Sequence, residues 1–286
     1  MVKIMKIGSF IFGILMIAGC SSTITQLSEV EVSGPPHKHS IRITENRKPA
    51  DLEVRTYASF SKDKIYTSQL EGDYQGQVQV PMTTSDNFFF KPGNFQGGID
   101  FDFAFSSHFA LTGGLNFANI KGDSYSGRNI GIGFFAENNS AAWRFDFNLK
   151  YQKMQYDAKF LIIEDPGGTD PPMEYNQIEK LEYWNTAYMF TFNTKRSDYF
   201  LNYFFNVCLG NQTFYEFDLQ NVQIVNLLDN SDYDYTESYL SLGLGVYKNI
   251  MENGRLIFGI RFTKYNDKND NIIIPDAFIQ YDFKLF

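Results

Sequence analysis

Past residue 20 the chain has no apolar run of the roughly 20 residues that a transmembrane helix needs, which argues against a helical membrane protein. Histidine is scarce, at three residues, and so is tryptophan, at two. Basic residues are fewer than acidic ones, 25 against 33, giving a net charge of −8 and a pI near 5.0. Such a balance makes nucleic acid a poor partner, because phosphate binding relies on neutralisation by Lys and Arg. Phenylalanine and tyrosine, in contrast, are abundant, at 29 and 18 residues. Yet mean hydropathy is only −0.29. Many aromatics, low hydropathy and no long apolar run fit strands that alternate apolar and polar residues across a membrane.

The first residues read as a targeting segment. Lys3 and Lys6 precede an apolar stretch, Ile7 to Gly19, too short to span a bilayer and suited to a signal-peptide core. It ends in Ile17-Ala18-Gly19-Cys20, which resembles the lipobox of bacterial lipoproteins. That resemblance implies a diacylglyceryl group on Cys20, the only cofactor-like group expected. An ordinary secretory signal with a chance cysteine is the alternative. With Cys20 acylated, Cys208 has no partner for a disulfide, and packing within a strand is its expected role.

The expected organisation is a signal peptide over 1–19, a lipidated periplasmic tether over 20–50 and a barrel over 51–286. The tether is rich in Ser, Thr, Pro and charge and has little periodicity. No acidic residues follow Cys20 directly, so the anchor is expected to remain in the inner leaflet of the outer membrane. His37 and His39 lack a third ligand, and no metal is expected there.

From about residue 95 a period-two pattern is nearly unbroken. In Ala142–Gln155, Trp143, Phe145, Phe147, Leu149 and Tyr151 alternate with Arg144, Asp146, Asn148, Lys150 and Gln152. Similar segments are Phe95–Ser106, Phe109–Asn119, Asn129–Ala136, Trp184–Asn193, Tyr199–Leu209, Tyr239–Tyr247, Leu256–Tyr265 and Ala277–Phe286. Connections alternate between short (106–108, 137–141, 194–198, 248–254) and longer (120–128, 156–181, 210–238, 266–275), as in barrels with short periplasmic turns and longer external loops. An outward strand must come first: Leu52–Phe60, with Tyr74–Val80 as rival. The fold expected is an all-β, antiparallel, up-and-down transmembrane barrel of about ten strands, with eight to twelve as the range. The aromatic C-terminus, Ile279 to Phe286, resembles the signal read by the outer-membrane barrel assembly machinery, although Phe286 falls out of phase. Trp143 and Trp184 fit aromatic girdles at the two interfaces, with ordinary core packing as the other reading.

The predicted lumen carries Asp100, Asp102, Arg144, Asp146, Lys150, Arg261, Asp282 and Lys284, a balanced set suited to ion pairs. About ten strands lie near the size at which side chains fill the interior, so a plugged or narrow lumen is expected; a water-filled slit is the alternative. The barrel enzymes that serve as templates (omptin-like proteases, lipid A-modifying acyl enzymes, the outer-membrane phospholipase) use a His near the outer rim or lipid face, for proton exchange near neutral pH. Here His37 and His39 fall in the tether and His108 in a periplasmic turn, so no enzymatic activity and no catalytic residue are expected. The loop aromatics Phe214, Tyr215, Phe217, Tyr233 and Tyr235 suit contact with a protein or glycan, or they cap the barrel by folding together. Asp229, Asp232 and Asp234 lack the ordered spacing of a calcium loop. The expected role is a non-enzymatic structural or accessory subunit, in contact with outer-membrane lipids and a protein partner there. The alternatives are a small channel for uptake of a narrow solute and a soluble periplasmic β-sandwich on a lipid anchor.

Overall fold

The computed structural model describes residues 24–34, 38–61, 66–68, 88–92, 94–120, 123–163, 173–196, 200–214, 235–266 and 271–285. Among these residues thirteen strands form one sheet. Ten of them close on themselves: β2 (Leu52–Ser61), β5 (Phe95–Ala104), β6 (Phe109–Ile120), β7 (Asp123–Glu137), β8 (Ala141–Ile163), β9 (Met173–Thr194), β10 (Asn202–Phe214), β11 (Tyr235–Met251), β12 (Gly254–Asn266) and β13 (Asn271–Lys284). Each pairs antiparallel with its neighbours, and β13 returns to β2, so the barrel has no free edge over its shared length. Leu52–Ser61 is thus the first barrel strand; Tyr74–Val80 lies outside the described residues.

The faces are those the alternation dictates. In β5 the burial pattern switches residue by residue, with Ile99, Phe101 and Phe103 exposed and Asp100, Asp102 and Ala104 buried. Polar side chains inside and apolar ones outside reverse the order of a soluble protein. Aromatic contacts mark both rims of the apolar band. At the short-turn end Phe109, Phe134 and Trp143 pack in a row, with ring centroids 5.1 and 5.3 Å apart. At the opposite end Tyr151 meets Trp184 at 5.2 Å, and Phe60 meets Phe95 at 5.2 Å. Trp143 and Tyr151 are eight residues apart on β8, about 26 Å along a strand before tilt is allowed for. A membrane barrel's apolar band is of that height.

Three expectations need correction. The connections 120–128 and 266–275 are mostly strand, since β7 begins at Asp123, β12 ends at Asn266 and β13 begins at Asn271. Much of 156–181 is also strand, because β8 and β9 pair as far as Ile162 opposite Met173. Beyond the band neither face needs apolar residues, so pairing continues after the alternation has faded. This protruding hairpin is extended by β1 (Ile24–Gly34), which lies antiparallel to β8, and then by β4 (Phe88–Pro92) and β3 (Tyr66–Ser68).

The third correction concerns the tether. Residues 38–48 run through the barrel from the long-loop end to the short-turn end, with Lys38, Ser40 to Thr44 and Arg47 buried. Lys38 donates to Ser61 at the far end of β2, whereas Asn46 and Arg47 donate to Glu137 beside the β7–β8 turn. The stretch before β2 therefore enters from the side opposite the short turns, not from their side as expected. At the short-turn mouth the chain reverses into the wall through two left-handed residues, Asn46 (φ 51°) and Ala50 (φ 71°). Ala50 and Asp51 are fixed there by backbone bonds to Ala104. Holding an L-residue in this conformation costs about 1–2 kcal/mol. Ala50→Gly is expected to stabilise the barrel by up to about 1 kcal/mol and Ala50→Val to destabilise it, read from urea midpoints of the folded band on cold gels.

Candidate functional site: a charged lumen closed by its own chain

Ten strands enclose slightly more space than wall side chains fill. Here the remainder is occupied by residues 38–48. Their backbone groups need partners away from water, and wall amides supply them. Gln280 accepts from the Ile41 N–H at 2.8 Å and donates to the Ile41 carbonyl at 2.6 Å. Asn193 does the same for Thr44, at 3.2 and 3.0 Å. Each amide imitates one rung of a β-ladder. Arg261 donates to the His39 carbonyl at 2.8 Å, and Arg255 to the Ile43 carbonyl at 3.2 Å.

The side chains of the segment alternate in character. Ile41 and Ile43 join Phe204, Tyr247, Ile257 and Phe278 in a buried apolar cluster inside the barrel. Space for those rings comes from Gly245 and Gly259, which face each other across β11 and β12. A Cβ at Gly245 would lie 2.1 Å from the Phe258 carbonyl and 2.7 Å from the Phe204 ring; one at Gly259 would lie 2.5 Å from the Phe278 ring. On the other side, Arg42 pairs with Asp146 at 2.8 Å and donates to Asn148 at 2.8 Å. Arg47 reaches Asp102 at 2.8 Å and Glu53 at 3.3 Å.

Asp102 is the centre of the charge network. Besides Arg47 of the segment it accepts from Arg55 of β2 and Arg144 of β8, each at 2.6 Å. Arg144 also grips Asp146 at 2.8 Å. Arg255 connects Asp282 (3.2 Å) with Glu53 (3.5 Å). Towards the long-loop end Lys38 and Arg261 each lie 3.9 Å from Asp276.

The residues expected in the lumen fall as follows. Asp100, Asp102, Arg144, Asp146, Lys150, Arg261 and Asp282 are buried inside the barrel. Asp100 accepts from Ser40 of the segment and from Asn129; Lys150 donates to the Lys38 carbonyl at 3.4 Å. Lys284 is half-buried at the short-turn mouth, 2.7 Å from Asp51. The sequence reading missed Arg42, Arg47, Glu53, Arg55, Arg255 and Asp276. Glu53 and Arg55 were visible as alternating polar positions of Leu52–Phe60. The segment had its own signal: Ile41 and Ile43 alternate with Ser40, Arg42 and Thr44.

Cys208 is buried with a free thiol within β10. His108 is exposed in the β5–β6 turn. His39 is not in a solvated tether but inside, with Nε2 3.1 Å from the Tyr239 hydroxyl. Phe214 and Tyr235 are paired strand residues instead of loop residues. Cys20, His37, Tyr215, Phe217, Tyr233, Asp229, Asp232 and Asp234 lie outside the described residues. At the short-turn mouth is a vestibule of about 710 Å³ lined by Glu45, Asn46, Lys195, Asn202 and Lys248 among others. Two of its cations are engaged: Lys195 pairs with Glu137 at 2.6 Å, and Lys248 lies 3.7 Å from the centroid of the Phe200 ring.

No family model and no curated protein matches the chain. Among solved structures it is similar to the outer membrane protease OmpT from Escherichia coli, at 8% identity over 82% of this chain and 94% of that one, TM-score 0.40. It is also similar to the translocator domain of the autotransporter NalP from Neisseria meningitidis (9% identity, 83% and 90% covered, TM-score 0.35). A third is the N-terminal β-barrel domain of Pseudomonas aeruginosa OprF (5% identity, 83% and 100% covered, TM-score 0.30).

Removing one partner of a buried ion pair typically costs 3–5 kcal/mol. Asp102→Asn is expected to lose about that much, because three guanidiniums lose their shared charge. Arg47→Met is expected to cost less, since Asp102 keeps Arg55 and Arg144. Urea unfolding followed by loss of the fast-migrating folded band measures both; equal losses would contradict the central position of Asp102.

Proposed function

We propose that the chain is an outer-membrane barrel, short turns in the periplasm, that works without enzymatic chemistry as a structural or accessory subunit of an outer-membrane assembly. The observation that carries this reading is the lumen segment. Residues 38–48 fill the passage and are bonded to the wall by paired amides, ion pairs and an apolar cluster. A barrel closed in this way has no wide path for solute. Its remaining working surfaces are the rim, the protruding hairpin and the long connections, which suit contact with another envelope protein.

The chemistry inside the barrel points the same way. His39 faces a phenol, where the barrel enzymes pair His with Asp or Ser, and it is enclosed by the wall. Glu53, Asp102, Asp146 and Asp282 are engaged by guanidiniums, and Asp100 accepts from Ser40 and Asn129. Neither arrangement offers a free base beside an open cleft.

Purification from the native membrane in mild detergent tests the reading. A stoichiometric assembly larger than the 33.0 kDa chain is expected, together with a silent planar bilayer. A lone barrel giving steady conductance that changes in Arg144→Ala or Asp146→Ala would instead establish a narrow channel.

A further inference from the structure

The direction of the lumen segment determines where the chain's beginning can be. Lys38 is held at the long-loop half, by Ser61 and Asp276, and Arg47 near the short turns, by Glu137 and Asp102. Before Lys38 comes β1, on the outer part of the β8–β9 hairpin. Ser33 lies opposite Gln155 and Ile24 opposite Ile163, so β1 runs from the hairpin's end towards the barrel. Ile163 is twelve residues beyond Tyr151, the aromatic rim residue of β8, which is about 40 Å of strand. Cys20 precedes Ile24 by four residues, and four residues reach at most about 14 Å. The lumen is already filled, and hydrocarbon does not admit unpaired backbone. Cys20 therefore has no route to the short-turn side.

We propose that the N-terminal end of the mature chain, with Cys20 and the lipid expected on it, lies on the outer face of the membrane, and that residues 38–48 are the crossing. This rests on the reading above that the short turns face the periplasm. The lipid is then not an inner-leaflet anchor. It is an acyl group presented outside the barrel, beside the protruding β1–β8–β9 sheet, where it can insert into a lipid surface.

The test uses the full chain in its own cells with one epitope inserted between Ser22 and Thr23. Companion chains carry it after Asn139, in the β7–β8 turn, or after Asn221, between β10 and β11. Antibody is applied to intact and then to permeabilised cells. The Ser22 and Asn221 epitopes are expected to bind antibody on intact cells, and the Asn139 epitope only after permeabilisation. If the Ser22 epitope is hidden while the Asn221 epitope is visible, the inference fails and the orientation stands. If Asn139 is visible and Asn221 hidden, the orientation itself fails and the inference with it. All three hidden until permeabilisation would overturn the outer-membrane reading. An antiserum against residues 21–34 repeats the measurement on the unaltered chain, so an insertion that blocks assembly does not decide the outcome.

Discussion

Asp102 accepts from three guanidiniums that belong to distant parts of the chain: Arg55 on the first barrel strand, Arg144 on the fifth, and Arg47 on the segment inside. Burying one carboxylate costs several kcal/mol unless partners surround it. The same holds for each guanidinium. The charges are therefore tolerable only together, and only when strands β2, β5 and β8 and the inner segment are all in place. Wall and segment are in this sense a single structure. The wall by itself presents the acids Glu53, Asp100, Asp102, Asp146, Asp276 and Asp282 and the bases Arg55, Arg144, Lys150, Arg255 and Arg261 to the interior; the segment adds Lys38, Arg42 and Arg47. The inner arginines thus join acids that the wall already shares with its own bases.

The same logic explains how an apolar cluster comes to lie inside a polar lumen. Ile41 and Ile43 project from the segment opposite its arginines, and the wall answers with Phe204, Tyr247, Ile257 and Phe278. Because Gly245 and Gly259 lack side chains, the Phe204 and Phe278 rings can come close to the strands at these positions. Apolar burial and ion pairing thus hold opposite faces of one extended stretch, and the reciprocal amides of Gln280 and Asn193 hold its backbone.

Most of the wall was legible in the sequence because a membrane barrel has two faces of opposite character, and alternation reports both. Phe101 against Asp102 and Phe145 against Asp146 need no structure to interpret. Legibility failed where only one kind of surroundings exists. Along Gln155 to Ile162 the alternation fades although β8 and β9 remain paired. It failed again at residues 38–48, whose composition of Lys, Arg, Ser, Thr and Asn reads as solvated chain. Only the short alternation around Ile41 and Ile43 departs from that, and a window of five residues is too brief to outweigh its flanks. The seven interior charges on the wall strands are legible because their strands are; Arg42 and Arg47 are not, because the sequence around them has the character of a tether.

Hydrogen exchange followed by mass spectrometry, on the intact chain in lipid nanodiscs, tests the inner crossing most directly. The account predicts that peptides covering residues 38–45 exchange as slowly as the barrel strands, because the stretch is enclosed by the wall and its Ile41 and Thr44 amides are bonded to it. Exchange of those peptides as fast as that of an unstructured chain would contradict it.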